Sequence, residues 1–357
     1  MTTRVERLVA ALEARDLEGM LVSSPENRRY LSGFTGSAGV LLITAQAAKL
    51  ATDFRYYEQV AEQAPDFELV AVPQQMPQVL ARELRALGLE RVAFESQDLT
   101  VETYNIWAQA FEGIELVPTS GIVEELRAVK EPVELEAIER AVRISDAAMV
   151  HLMDVLRPGM TERQVAWELE VHMRTHGAEA LAFATIAAAG PRSAMSHAVP
   201  TERPIQEGEP MVIDMGARVD GYLSDMTRSF CVGWASDQYL EIWDTVLQAQ
   251  LAAEKGIRAG MTGIEADALA RSLIYGAGHE GKFGHGLGHS VGLAIHEDPR
   301  ASFLSTAVLP EGLVLTVEPG IYLPGWGGIR TEDMIVVGGE VSRVLTQCPK
   351  VPVVPGK

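Results

Sequence analysis

The sequence predicts a two-domain chain: an α/β layer domain over residues 1–125, then a larger domain of mixed helices and strands, built from two related halves, over 126–357. Three observations predict it. Helix-like and strand-like segments alternate from the first residues to about residue 120. A Gly-Met-Thr turn that opens a helix occurs twice, at 159–161 and 260–262. All eight histidines, at 151, 172, 176, 197, 279, 285, 289 and 296, lie in the second domain, so chemistry that needs imidazole belongs there.

In chain order, "RVERLVAALEARDL" (4–17) sets apolar residues at helical spacing between charges and reads as a surface helix. "GMLVSS" (19–24) and "GVLLIT" (39–44) are short apolar runs beside turn residues, hence strands. "DFRYYEQVAEQA" (53–64) reads as a helix, "FELVAVP" (67–73) as a strand, "VLARELRALGL" (79–89) as a helix and "RVAFES" (91–96) as a strand. The pattern breaks in "LVPTSGIVEELRAVKEPVE" (116–134), where Pro118, Gly121 and Pro132 interrupt it and a long helix starts near Val133. The domain boundary is placed in this stretch. A first domain without histidine suits a cap, a specificity element or an oligomerisation surface.

With 47% apolar and 22% charged residues in 357, the chain has the composition of a folded protein, which excludes disordered and collagen-like classes. "GVLLI" near the N-terminus falls far short of the roughly 18–20 apolar residues that span a bilayer, and the opening residues lack the apolar core of a signal peptide. No membrane partner is expected. Cys231 and Cys348 are too few for a disulfide framework and stand outside any CxxC, so a cytoplasmic location is expected. A formal net charge of -19 opposes binding to phosphate backbones, so no nucleic-acid partner is expected.

The recurring turn belongs to a longer likeness. "LRPGMTERQVAWELE" (156–170) and "IRAGMTGIEADALAR" (257–271) match at Arg, Gly, Met and Thr, with Thr161 and Thr262 as N-caps. Each copy is followed by two acids, Asp214 and Asp225 after the first, Glu318 and Glu332 after the second. Two related halves would then each give a carboxylate pair to one centre.

In "PMVIDMGARVDGYLSDMTRSF" (210–230), Asp220-Gly221 signals a hairpin turn that lets Asp214 and Asp225 face the same way. Apposed carboxylates repel unless a cation or a shared proton sits between them; the plainer alternative is two exposed aspartates at strand ends. In "LVLTVEPGIYLPGWGGIRTEDMIVV" (313–337), Glu318 ends one apolar run and Glu332 precedes another, positions where an unpaired charge is costly. Arg330 is a ready ion-pair partner for Glu332 but leaves Glu318 unexplained. "FGHGLGHSVGLAIHEDP" (283–299) sets His285, His289 and His296 among glycines that resist helix formation and allow close backbone approach to a ligand. His197, in "RSAMSHAVPTERPI" (192–205), reads equally as structural or functional. One histidine with four carboxylates makes a hard, oxygen-rich donor set that suits Mn²⁺, Co²⁺ or Mg²⁺, and its charge calls for two ions.

These stretches, with "YLSGFTGSAGVLLIT" (30–44), "TDFRYYEQ" (52–59) and "LRAVKEPVELEAIERA" (126–141), resemble the Xaa-Pro peptidases of the pita-bread metallopeptidases, the group of aminopeptidase P and prolidase. The resemblance covers nearly the whole chain. It implies an α/β creatinase-like N-terminal domain followed by an α+β pita-bread catalytic domain with an internal pseudo-twofold repeat. It further implies Asp214 on one ion, His289 and Glu318 on the other, and Asp225 and Glu332 bridging both. Manganese is the expected metal, with cobalt or zinc as alternatives. Glu318 would be the general base, and His197 and His296 would hold the scissile carbonyl. His285 would contact substrate, Arg300 would bind a substrate carboxylate, and Arg330 would orient a bridging carboxylate from behind. The expected partners are peptides with proline in second position and, as a homodimer, a second copy of the chain.

Methionine aminopeptidase shares the catalytic fold but generally lacks such an N-terminal domain, and creatinase-like relatives do not use the metal set. A catalytically silent binding module would be expected to have lost ligands. Between the two Xaa-Pro activities, "YLSGFTGSAG" favours aminopeptidase P, which is the expected form, while the compact length and Arg300 favour prolidase.

Overall fold

The structure, a computed structural model, describes residues 3–356. The chain divides into two compact units, Met1–Arg127 and Ala128–Lys357.

The first unit is a six-stranded mixed sheet in the order Glu68–Ala71, Ala48–Thr52, Val40–Thr44, Gly19–Val22, Arg91–Glu95, Glu115–Thr119. Strand Gly19–Val22 pairs antiparallel with Val40–Thr44 and parallel with Arg91–Glu95, and all four of its residues are buried. Every helix and strand expected between residues 4 and 96 is present. The sequence reading missed the helices Pro25–Ser32 and Val101–Ala110 and the strands Ala48–Thr52 and Glu115–Thr119.

The second unit repeats one order of elements. The first half runs helix Pro132–Val155, helix Glu162–Thr175, then strands Ile186–Ala189, Met211–Met215 and Met226–Val232. The second half runs helix Asp237–Gly256, helix Gly263–Gly276, then strands Gly288–Ser290, Val314–Val317 and Asp333–Val336. Thr161 and Thr262 each close a capping box, with Gln164 and Glu265 respectively, which satisfies orphan N–H groups at both helix starts. Each trio of strands pairs antiparallel, and each half packs its own apolar cluster beneath its helices.

The halves are joined by polar contacts between the strand Met226–Val232 and residues 330–333. The Glu332 N–H donates to the Thr227 carbonyl at 3.1 Å, and the Arg330 N–H to Ser229 Oγ at 3.0 Å. Arg228 is 2% exposed, and its guanidinium donates to the Glu332 carbonyl at 2.6 Å and to Asp333 Oδ1 at 2.8 Å. Among the described residues, no helix is long and apolar enough to cross a membrane.

Candidate metal centre

Asp214 lies in the strand Met211–Met215 directly opposite Thr227. Asp225 comes two residues before Thr227, so strand alternation turns Asp214, Thr227 and Asp225 to one face. The hairpin between them turns at Asp220 and Gly221, whose φ values of 47° and 78° are the left-handed pair that a tight type I′ turn requires. At Gly216 the chain passes so close to its partner strand that a Cβ would lie 1.9 Å from the Ser224 carbonyl oxygen, so only glycine fits beside the two aspartates.

The other three acceptors come from the second half. His289 lies in Gly288–Ser290, Glu318 directly follows Val314–Val317, and Glu332 directly precedes Asp333–Val336. Thr316 links two of them: its Oγ1 accepts from the His289 N–H at 3.0 Å and donates to Glu318 Oε1 at 3.2 Å.

All five converge. Ligand atoms of Asp225, His289 and Glu332 lie within 4.8 Å of one another, and all three residues are buried. His289 Nε2 is 3.6 Å from Asp225 Oδ2 and 3.4 Å from Glu318 Oε1. Asp214 lies near enough to Asp225 for its charge to oppose ionisation there. Burial, followed by mutual repulsion among the acids, holds Asp225 and Glu332 well above the usual carboxylate range. Burial, helped by repulsion from Asp214 and opposed by Arg330, pushes Glu318 up to about 7. Burial also raises Asp214, against the opposing pull of Arg330.

Arg330, paired with Asp214, is the one cation against these four carboxylates among the described residues. Burial lowers His289 to about 3, so its ring is neutral. Its Nδ1 faces the Ser290 carbonyl at 3.1 Å and must carry the proton, which turns the Nε2 lone pair toward two carboxylates. Asp214 Oδ1 is buried and has no hydrogen-bond donor among the described residues. A neutral imidazole and four clustered carboxylates, with Asp214 Oδ1 left without a donor, fit divalent cations, and oxygen-rich donors of this kind suit two hard ions.

Arg330 supports the cluster from behind. Its guanidinium donates to Asp214 Oδ2 at 2.6 Å, to Thr227 Oγ1 at 3.0 Å and to Tyr322 Oη at 3.0 Å. Thr227 Oγ1 in turn donates to Glu332 Oε2 at 2.6 Å. The direct ion pair is thus with Asp214, and Glu332 is reached only through Thr227, which corrects the reading of Arg330 as the ion-pair partner of its neighbour. Removing one member of a buried pair costs about 3–5 kcal/mol. Arg330→Met is therefore expected to lower the urea-unfolding free energy by about 3 kcal/mol or more, and a loss below about 1 kcal/mol would show that Asp214 finds another partner.

His197, His285, His296, Arg300, Glu318 and Arg330 all line one cavity of about 340 Å³. A second cavity of about 310 Å³ also contains His197 and His296, together with Asp225 and apolar Phe183, Ile186, Val199 and Ile295. The His296 ring meets the His289 ring edge-on, with centroids 4.5 Å apart. His285 has both nitrogens engaged: Nδ1 with the Gly286 carbonyl at 2.8 Å and Nε2 with Tyr322 Oη at 2.9 Å. Since Nδ1 must donate to that carbonyl, the Tyr322 hydroxyl donates to Nε2 while accepting from Arg330. Arg300 is half exposed and pairs at 3.3 Å with Asp298, whose side chain is 80% exposed.

The sequence reading missed Thr227, Thr316 and Tyr322. For the threonines a signal existed: each stands two residues from a chosen acid, on the same strand face. Tyr322 carried none.

Residues 136–338 match the model of metallopeptidase family M24, and residues 4–129 match the creatinase/prolidase N-terminal domain. Among curated relatives, the uncharacterized peptidase YqhT of Bacillus subtilis is 41% identical across 97% of this chain and 98% of its own. Among solved structures, an Xaa-Pro dipeptidase from Bacillus anthracis aligns with a TM-score of 0.96 at 43% identity over 98% of each chain. An X-Pro aminopeptidase from Thermotoga maritima aligns with a TM-score of 0.91 at 36% identity, over 99% of this chain and 100% of its own. The chain therefore belongs to metallopeptidase family M24, whose enzymes depend on two metal ions, and it carries the pita-bread catalytic fold behind a creatinase/prolidase N-terminal domain.

Proposed function

We propose that this chain hydrolyses the peptide bond between an N-terminal residue and a following proline, and that Xaa-Pro dipeptides are its preferred substrates. Arg300 is the observation that carries the choice of length. Arg300 lines the same cavity as His285 and His296, and its partner Asp298 is itself largely in solvent. An arginine so placed can take a free substrate carboxylate in a forked pair. A longer peptide offers an amide at that point and leaves the cation without an anion.

In this reading Asp214, Asp225, His289, Glu318 and Glu332 hold two divalent ions, manganese first, with cobalt or zinc able to use the same donors. Bound there, the ions supply Lewis acidity toward the scissile carbonyl and lower the pKa of an attacking water. Glu318 takes the proton of that water and returns it to the departing proline nitrogen. Burial already raises its carboxyl to about 7 in the metal-free chain, where it can both accept and release a proton near neutral pH. His197 and His296 donate to the carbonyl oxygen as charge develops on it. His285 supports substrate through its ring and through Tyr322. The apolar second cavity receives the side chain of the residue before proline. Proline presents no N–H and a fixed ring, so a site shaped to the ring uses what other peptidases reject.

Preference for longer Xaa-Pro peptides, the aminopeptidase P activity, is the second reading, favoured by the likeness to the T. maritima X-Pro aminopeptidase. Both readings are tested with added Mn²⁺ on an Xaa-Pro dipeptide and on an Xaa-Pro-Xaa tripeptide with the same first residue. A higher kcat/KM for the dipeptide is expected; the reverse order would install the aminopeptidase reading. Arg300→Met is expected to raise KM for the dipeptide about 10- to 100-fold, as loss of a charge-assisted hydrogen bond does. The tripeptide KM should move by less than about 3-fold. An equal change for both substrates would remove Arg300 from carboxylate recognition.

A further inference from the structure

Each loop that brings a histidine to the cavity without a ligand role is tied down by a buried carboxylate and a cation. Glu162, 0% exposed, gathers both ends of the segment that contains His197. Its Oε1 accepts from the Ala189 N–H at 2.9 Å, and its Oε2 accepts from the Thr201 N–H at 2.9 Å and Thr201 Oγ1 at 2.6 Å. Arg192 Nε donates to both oxygens at 3.1 and 3.0 Å, and its Nη2 reaches across the loop to the Val199 carbonyl at 2.6 Å. The His197 ring has no hydrogen bond among the described residues, so no polar partner holds it and its place depends on the loop that carries it.

The second half repeats the device with different residues. Asp267, 1% exposed, accepts from Arg271 at 2.6 and 2.9 Å and from the Leu287 N–H at 2.9 Å. Arg271 donates to the carbonyls of Phe283 at 2.7 Å and of His285 itself at 2.6 Å. Glu297, next to His296, accepts from the Ala294 N–H at 3.1 Å and pairs with buried Lys130 at 2.9 Å.

We propose that Glu162 and Arg192 are positioning residues for His197, and that Asp267 with Arg271, and Glu297 with Lys130, do the same for His285 and His296. The inference rests on the carbonyl-binding role given to His197 above. A donor that must meet charge appearing on the substrate oxygen is effective only if it is already in place, and a displacement of about 1 Å can cost about 100-fold in rate. A loop closed on one carboxylate meets that requirement before substrate arrives. Charge-assisted hydrogen bonds offset the desolvation of the buried acid.

The test is a double-mutant cycle on the metal-loaded full chain with an Xaa-Pro dipeptide, since a residue that acts through another has nothing to add once that other is gone. Arg192→Met is expected to lower kcat about 10- to 100-fold with KM changed less than about 3-fold and metal content unchanged. In a His197→Ala background the same substitution should cost less than about 3-fold. Equal losses in both backgrounds would mean that Arg192 serves the fold as a whole and would overturn the inference, as would an unchanged kcat. Should Arg192→Met fail to fold, Thr201→Val, which removes the hydroxyl that donates to Glu162 and accepts from the Arg203 N–H, carries the same cycle and the same criteria. A wild-type chain that cleaves no Xaa-Pro peptide would overturn the functional reading, and this inference with it; an active wild type with additive losses would sink this inference alone.

Discussion

Glu332→Ala and Asp225→Ala are each expected to reduce turnover by at least about 1,000-fold, beyond the 10- to 100-fold typical of losing a group that only supports a ligand. Bound metal should fall below two ions per chain, measured by elemental analysis after dialysis. Both carboxylates belong to the buried trio with His289, so each substitution removes a donor from the middle of the cluster. The metal-free variants should behave in the opposite sense. Repulsion from Glu318 and Asp214 is among the causes that raise both groups, so deleting either one relieves the repulsion it takes part in. The metal-free melting temperature at neutral pH should therefore hold or rise while activity collapses. Near-wild-type turnover in either variant would remove that residue from the metal-binding set.

Stripping the metal should expose a pH dependence that the loaded protein lacks. Glu318 rises to about 7 in the folded metal-free chain, and Asp225 and Glu332 rise well above the ordinary carboxyl value. Each group binds its proton more tightly folded than unfolded. The stability it contributes is full below the unfolded carboxyl pKa, near 4–4.5, and is lost as pH rises through the folded value. Metal-free protein should accordingly melt at progressively lower temperature from about pH 5 to about pH 8. Saturating Mn²⁺ should abolish the trend, because the ion takes the place of the protons and stabilises the fold by mass action. The gap in melting temperature between loaded and stripped protein is expected to widen by about 5–10 °C over that range. Parallel curves for the two forms would mean that the carboxylates are not neutralised by the metal.

The proposed ligands were legible because each signal was local. Asp220-Gly221 declared the hairpin, the glycines around His289 declared an open segment, and Glu318 and Glu332 stood at the ends of apolar runs. The repeat was legible because both second helices start at a threonine in a capping box. What escaped depended on distant pairing. Arg330 has Glu332 two residues away, yet its guanidinium goes to Asp214, a direction set by contacts with Ser229 and Thr227 across the halves and with Tyr322. Tyr322 gains its role from bonding to both His285 and Arg330, which no feature of its own segment announces. Helix Pro25–Ser32 is short and strongly polar, burying Asn27 and Arg28 beside Tyr30 and Leu31; Arg28 anchors it by donating to the carbonyls of Ser23, Gly36 and Gly39. Strand Ala48–Thr52 has no aromatic residue and Thr52 as its one β-branched residue, too little to mark it, and is held by its neighbours on both sides.

The bonds from Glu332 to Thr227 and from Arg330 to Ser229 fasten one half of the domain to the other beside the carboxylates. On the proposed ligand set, neither half holds enough donors to chelate the pair of ions alone, and the metals would act as a clasp across the two halves. Retention of the ions then gauges how firmly the clasp is shut. A substitution anywhere along the join, however far from the carboxylates, will register as faster release to a chelator before it registers as unfolding.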